Sequence, residues 1–396
     1  KQAMLFVFRI NTRKDKRRYS LNFKHIMSKL IIGIDISMND FYACIKVRTE
    51  DNSIKIKGTR SFENTDQGFE NFLSWSLKQK KDDEWSVRFV MEATGVYYEN
   101  LAYYLHSQNQ KVSVVLANKI KNYIKSLNVK TKTDKVDAKT IASFGIEREL
   151  ENWEPMSPMY KTLRDLCREL LSLKKEKQRA QSQLHALEKA HQKLHTVIKL
   201  KREQIAFLEK AIDVIRKDIK ATVKKDPILE NRIKKLETIP GLGYETVVIL
   251  VCETNGFTLF KNIRQVVSYA GIDITHNESG MFKGKTRISK RGNSRIRQAL
   301  YMPSLSACRA NEPIKELYER IHDRNPDTKR KGIVAGMRKL LTLSYVLWKK
   351  DEEYNSHYQW SNSATHNLSQ RKAEPESSAL DRHKPINRFI PSLVQS

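Results

Sequence analysis

Leu30-Ile31-Ile32-Gly33-Ile34-Asp35-Ile36-Ser37 is the stretch on which the fold turns. A branched apolar run of this length reads as a buried strand, and the acid inside it demands an explanation, because a carboxylate taken out of water needs a partner. Outward from it, residues 41–47 and 53–57 carry strand signals and residues 67–77 form an amphipathic stretch. An apolar strand follows at 87–91, then a helix at 97–108 and a strand at 111–116. Three successive strands followed by helix-strand alternation imply a mixed sheet covered by helices, over residues 29–155.

Residues 160–236 contain no glycine and a single proline, Pro227. Leu163, Leu166, Leu170, Leu173, Leu184, Leu187, Leu194 and Ile198 lead into Ile205, Leu208, Ile212, Ile215 and Ile219 in one register, interrupted by Lys177, His191 and Lys201. That seam predicts a coiled coil over 156–236, either one long helix or a hairpin. A plain spacer and a strut along a phosphate backbone are both compatible with it, since residues 159–236 hold 21 basic and 10 acidic side chains. Residues 237–350 read as a compact, mostly helical domain with glycine-bearing turns. At the ends, 1–28 is a basic leader in which Met27 looks like a natural start, and 351–396 is polar and reads as a disordered tail.

Of 396 residues, 73 are Lys or Arg and 45 Asp or Glu, a formal net charge of +28. Such an excess anticipates a polyanion, most economically nucleic acid, because each cation that replaces a condensed counterion gains entropy on binding. No apolar run is long enough to span a bilayer. Cys44, Cys167, Cys252 and Cys308 lie far apart with no C-x-x-C pair, so neither a zinc module nor a disulfide framework is indicated. A reducing cytoplasm fits.

Four carboxylates stand out. Asp35 sits inside the opening strand; Glu92 closes the apolar strand ahead of Ala93-Thr94-Gly95; Asp134 and Asp137 open a helix three residues apart and so share one face. Singly, each has a plain explanation: Asp134 as an N-cap, Asp137 as a favourable first-turn acid, Asp35 or Glu92 as an ion-pair partner. Together they match the layout of an RNase H-like site, in which divalent cations organise in-line phosphoryl transfer. Hard oxygen ligands without Cys/His clusters favour Mg²⁺.

Ile239-Pro240-Gly241-Leu242-Gly243 precedes a helix, and such a turn lets backbone N–H groups approach a phosphate, or serves as an ordinary interhelical connection. Residues 279–297 are more telling: Lys283, Lys285, Arg287, Lys290, Arg291, Arg295 and Arg297, with no acid among them. A solvated face normally mixes signs, so phosphate contact is indicated. The segment also carries Ser279, Ser289 and Ser294, each a hydroxyl near positive charge that could stabilise a pentacoordinate transition state, and the residues alone do not choose among them.

Gly-Ile-Asp35-Ile-Ser, Met-Glu92-Ala-Thr-Gly, Lys-Thr-Asp134-Lys-Val-Asp137-Ala, Ile-Pro-Gly-Leu-Gly and Glu-Ser279-Gly before Ser-Lys-Arg-Gly-Asn resemble, in order, the DEDD-type transposases of insertion-sequence family 110, bridge-RNA-guided serine recombinases. The resemblance covers about residues 29–350. It implies a RuvC-like domain with Asp35, Glu92, Asp134 and Asp137 binding Mg²⁺, a coiled coil for association, and a transposase domain with Ser279 as nucleophile. It further implies donor and target DNA and a guide RNA as partners, a homo-oligomer that is a tetramer, and a prokaryotic, nucleoid-associated location. The leader and tail have no counterpart in it. Two other readings stay open: a metal-dependent Holliday-junction-type nuclease in which Ser279 only contacts phosphate, and a non-catalytic scaffold binding RNA or DNA.

Overall fold

The computed structural model describes residues 29–49, 53–80, 86–128, 131, 133–276, 278–280, 282–284 and 286–356. The leader, Lys285 and all but the first residues of the tail lie outside these. The chain divides into two compact units, with the break between Ser157 and Pro158.

The first unit is built on a five-stranded sheet in the order β3-β2-β1-β4-β5. Its strands are β1 (Lys29–Ile36), β2 (Asp40–Arg48), β3 (Ile54–Glu63), β4 (Ser86–Glu92) and β5 (Val112–Val115). β1, β2 and β3 are antiparallel neighbours, whereas β4 runs parallel to both β1 and β5. The sheet is therefore mixed, as its sequence predicts. Edge strand β3 is longer than its apolar signal because Lys55, Lys57 and Arg60 punctuate it, charges of the kind that keep an edge from pairing with another chain.

Helices α1 (Asp66–Leu77) and α2 (Glu99–Ser107) cover one face. Leu30, Ile32 and Ile34 of β1 meet Phe69, Phe72, Leu101 and Leu105 there. Phe41 anchors an aromatic cluster in this layer, edge-on to Phe72 at 5.1 Å between ring centroids. Helices α3 (Ala117–Ser126) and α4 (Asp134–Glu147) cover the opposite face, where Ile31 and Val90 join Ile120, Ile141 and Phe144.

Contact between α4 and β1 is unusually close. A Cβ on Gly33 would fall 2.2 Å from the Ala142 nitrogen and 2.4 Å from the Ala138 carbonyl oxygen; one on Gly145 would fall 2.7 Å from Ile31 Cγ2. These two glycines fix the direction of α4: its C-terminal half lies at Ile31, its N-terminal half beyond Gly33 toward Asp35. Lys46 on β2, its pKa lowered mainly by burial, donates to Ser143 Oγ and pins the helix laterally.

The second unit is helical. Helices α5 (Pro158–Lys189) and α6 (His195–Lys224) form a hairpin that bends at Ala190–Leu194. The two-helix form is thus the one adopted. Leu163, Cys167 and Leu170 from α5 and Ile212, Ile219 and Val223 from α6 share a core with the helices that follow, so the base of the hairpin is built into the C-terminal unit. Those helices are α7 (Pro227–Glu237), α8 (Tyr244–Glu253), α9 (Ile263–Ala270), α10 (Ser294–Ala310), α11 (Glu312–Arg324) and α12 (Lys329–Lys350). Between α9 and α10, short strands β6 (Ile274–Thr275) and β9 (Arg287–Ile288) pair antiparallel and enclose a second pair, β7 (Glu278–Ser279) and β8 (Phe282–Lys283). No described helix is long and apolar enough to cross a membrane.

Gly33→Ala inserts a methyl group where helix backbone already lies, and relieving it requires a backbone shift of a kind that costs roughly 1–3 kcal/mol. The expected outcome is a lower urea midpoint for the first unit, measured by tryptophan fluorescence through Trp75 and Trp153.

Candidate active site and nucleic-acid interface

Parallel pairing of β1 with β4 sets Ile34 opposite Met91, so Asp35 and Glu92 follow at the same level on neighbouring strands. Alternation puts both on the face that carries Ile31, Gly33 and Val90. α4 covers that face, and its first turn lies at this end. Thr133 caps α4, its hydroxyl accepting from the Val136 N–H at 3.3 Å. Asp134 is therefore not the N-cap that its position would also allow; it is the first helical residue, exposed, with half-buried Asp137 in the same turn. Helix dipole and open N–H groups favour carboxylates in both places.

Strand register and helix direction thus deliver the backbones of all four acids to one end of the sheet. Carboxylates are the donors that Mg²⁺ takes, commonly one or two from protein with waters and substrate phosphate completing the octahedron. Among the described residues, no three His, Cys, Asp or Glu side chains stand close enough to hold one ion by themselves. The donor chemistry fits the cation, while a closed protein cage is not formed.

In the second unit, Ser279 is the last residue of β7 and is exposed. Gly280 follows with φ +54°, a conformation that a tight hairpin turn demands and a side chain resists. Ser289 is otherwise engaged: its hydroxyl donates to Asp273 Oδ1, and the two backbones meet at 2.8 Å. Ser294 is the first residue of α10. Arg287, Lys290, Arg291 and Arg295 are exposed. Arg297 differs: its guanidinium donates to the Ala270 and Gly292 carbonyls at 2.8 and 3.2 Å, holding the loop rather than facing solvent.

The two glycines of the Pro-Gly-x-Gly turn separate in role. Gly241 has φ +99°, and a Cβ there would lie 2.7 Å from the Ala307 Cβ, so it is required by packing of the turn on α10. Gly243 is exposed with open space around it, at an N-terminus of α8 that no side chain caps.

One buried group organises the basic segment, and the sequence reading passes over it. Glu253 at the end of α8 has its side chain 1% exposed. Arg168 of α5 donates to it twice, at 2.8 and 3.0 Å, and Asn293 Nδ2 donates at 2.7 Å. Asn293 Oδ1 in turn accepts from the N–H groups of Arg295 and Ile296, capping α10. Burial pushes the Glu253 carboxyl up, but the hydrogen bonds from Arg168 and Asn293 outweigh it and hold the group below the usual carboxylate range. Glu253 follows the apolar run 247–252, the same signal that singles out Glu92.

A family model described as a transposase, of the DEDD IS110 type, matches residues 32–191, and one described as a transposase of the IS116/IS110/IS902 family matches residues 233–319. The pilin gene-inverting protein of Moraxella bovis is 31% identical over 332 residues, 83% of this chain and 98% of that one. The chain belongs to the IS110 transposase family. The pilin gene-inverting protein of Moraxella lacunata matches this transposase to the same extent. Two solved structures also align. RuvC of T. thermophilus in complex with a Holliday junction substrate covers 28% of this chain and 90% of its own, at 8% identity and a TM-score of 0.22. Fowlpox virus Holliday junction resolvase covers 30% of this chain and 96% of its own, at 15% identity and the same TM-score. The four acids of this transposase fall within the first matched span, and Gly241, Gly243, Ser279 and the basic stretch within the second.

Glu253→Ala leaves Arg168 and Asn293 without their acceptor and is expected to destabilise the second unit by about 3–5 kcal/mol. Since the folded pKa is depressed, the carboxylate stabilises above its ordinary value of 4.5 and ceases to as pH falls through the lowered one. Melting temperatures of wild type and Glu253→Gln should therefore differ by a constant amount near neutrality and converge in acid.

Proposed function

We propose that this transposase is an RNA-guided DNA recombinase that cuts and rejoins strands through a phosphoserine intermediate. The observation that carries the reading is an exposed serine on a hairpin turn, Ser279, inside a segment with seven basic residues and no acid. Attack of its Oγ on a DNA phosphodiester forms a serine–phosphate ester and releases a sugar hydroxyl. Attack by a second sugar hydroxyl on that ester restores the diester and frees the serine. Each step exchanges one phosphate ester for another, so rejoining needs no external energy source. Arg287, Lys290, Arg291 and Arg295, together with Lys283 and Lys285, would neutralise the extra charge on the five-coordinate phosphorus.

Asp35, Glu92, Asp134 and Asp137 are the residues that would hold divalent metal, with Mg²⁺ matching their hard oxygens; when bound, such an ion polarises phosphoryl oxygens. Base pairing by a guide RNA would supply sequence choice, leaving the protein to grip backbone and shape, and a net charge of +28 suits that division. The tetramer that the family resemblance implies requires association of copies, and the hairpin supports association: Leu200, Phe207 and Val214 recur every seven residues on α6 and are 59, 68 and 56% exposed.

Incubation with labelled cognate DNA and guide RNA, followed by a denaturing gel, should reveal a covalent protein–DNA adduct that Ser279→Ala abolishes. An adduct that survives the change removes Ser279 from this role. Asp137→Asn should reduce recombination at least about 100-fold, the scale of losing one group that stabilises transition-state charge, with DNA affinity retained.

A further inference from the structure

The solvent face of α10 combines Arg295, already drawn on above, with features that the recombinase reading leaves unused. Tyr301 and Met302 are 41 and 66% exposed, although both are large and apolar. Helical spacing puts Met302 on one face with Arg295, Gln298 and Arg309, at steps of three, four and seven residues, and sets Tyr301 at the edge of that face, three residues from Gln298 and next to Met302. The buried positions Ile296, Leu300, Ser304 and Ala307 form the opposite side. Met302 is seven residues from each of the two arginines, or about 10 Å along the axis. Between Ser294 and Ala310 there is no acidic residue. Glu253 does approach Arg295, at 4.0 Å, but it is already paired with Arg168, so the group of three keeps a positive charge and Arg295 remains 46% exposed.

We infer that Tyr301 and Met302 form a stacking platform for unpaired bases of single-stranded DNA, whose flanking phosphates meet Arg295 and Arg309. Charge decides the occupant. An apolar patch bounded by arginines on an acid-free helix complements a polyanion that also offers flat, poorly hydrated faces, and a DNA single strand has both while a duplex hides its bases. An aromatic ring and a polarizable thioether accept any base, so the platform would be indifferent to sequence. The inference rests on the recombinase reading, in which cutting and exchange expose unpaired DNA.

The test uses the full chain carrying Ser279→Ala, so that binding is read without chemistry. Affinity is measured for a single-stranded DNA oligomer containing 2-aminopurine, for the matching duplex and for an RNA single strand of the same sequence. Tyr301→Ala should weaken single-stranded DNA binding about 5- to 150-fold, the range for losing one base–aromatic stack, and should restore 2-aminopurine fluorescence quenched in the complex. Duplex affinity should change less than about twofold, and Tyr301→Phe, which keeps the ring, should behave as wild type. Met302→Ala should show a smaller loss in the same direction. Equal losses for single strand and duplex, an effect on RNA alone, or a fall in oligomeric mass by light scattering without loss of DNA binding would each overturn the platform. A parent chain that binds no DNA at all would overturn the recombinase reading with it; intact DNA binding indifferent to Tyr301 overturns the platform alone.

Discussion

Helix α4 rests its backbone directly on the backbone of β1, with no side chain between them at Gly33. Most helices pack on sheets through a layer of side chains; at Gly33 that layer is absent and the two backbones meet. Everything at the candidate acidic site follows from this approach. The direction of α4 is fixed by two glycine contacts, Gly33 under Ala138 and Ala142, and Gly145 over Ile31 and Val90. Because β1 and β4 are parallel and α4 runs back against them, the end where β1 carries Asp35 and β4 finishes in Glu92 is also the end where the helix begins with two acids in its first turn. A bulkier residue at 33 would lift the first turn of the helix away from Asp35 and Glu92.

Glu253 has the corresponding role in the second unit. A carboxylate at the end of a buried apolar helix is costly unless its oxygens are satisfied, and here three donors satisfy them. Those donors come from places far apart in sequence, Arg168 on the hairpin and Asn293 at the end of the basic loop. One buried anion therefore orients the loop that holds Arg291 and Lys290 and sets where α10 starts. Tyr269 adds to the same knot, its hydroxyl donating to the Glu253 carbonyl at 3.0 Å while its own carbonyl accepts from Asn293 N–H at 2.7 Å.

Much of the first unit could be read from sequence because its signals are local. An apolar run with one acid, as around Asp35, has few solutions, and the mixed order of strands and helices follows from periodicity. Helix α3 does carry a stripe, Ile120, Tyr123 and Ile124 at helical spacing, but it is only 10 residues long and begins directly after β5, so its signal is short and runs on from that of the strand. The hairpin bend was hidden for a different reason: Ala190-His191-Gln192-Lys193-Leu194 contains neither glycine nor proline, and only the break in the seam at His191 marks it. Glu253 was missed because its partners, Arg168 and Asn293, are 85 and 40 residues away. No spacing rule reports a contact of that range.

Basic side chains in this molecule fall into two populations that composition alone cannot separate. Arg168, Arg216, Arg232 and Arg297 point back at the fold, onto Glu253, Glu245, the Trp348 ring and loop carbonyls respectively. Arg168 and Arg216 are offset by a carboxylate and add little to the field felt by a distant polyanion, whereas Arg297, held by neutral carbonyls, keeps its full charge there. Arg287, Lys290, Arg291, Arg295 and Arg309 lie toward solvent, on a loop and helix that Arg168, through Glu253 and Asn293, and Arg297 hold in place. A surface of this kind is preorganised: in the proposed complex the guanidinium and ammonium groups would meet phosphate from backbone already fixed by capping and by buried pairing, so less entropy would be lost on binding. On the proposed reading the interior arginines govern affinity indirectly, through the order of the outer ones, and a charge count on residues 279–297 underestimates how far the proposed interface extends into the protein.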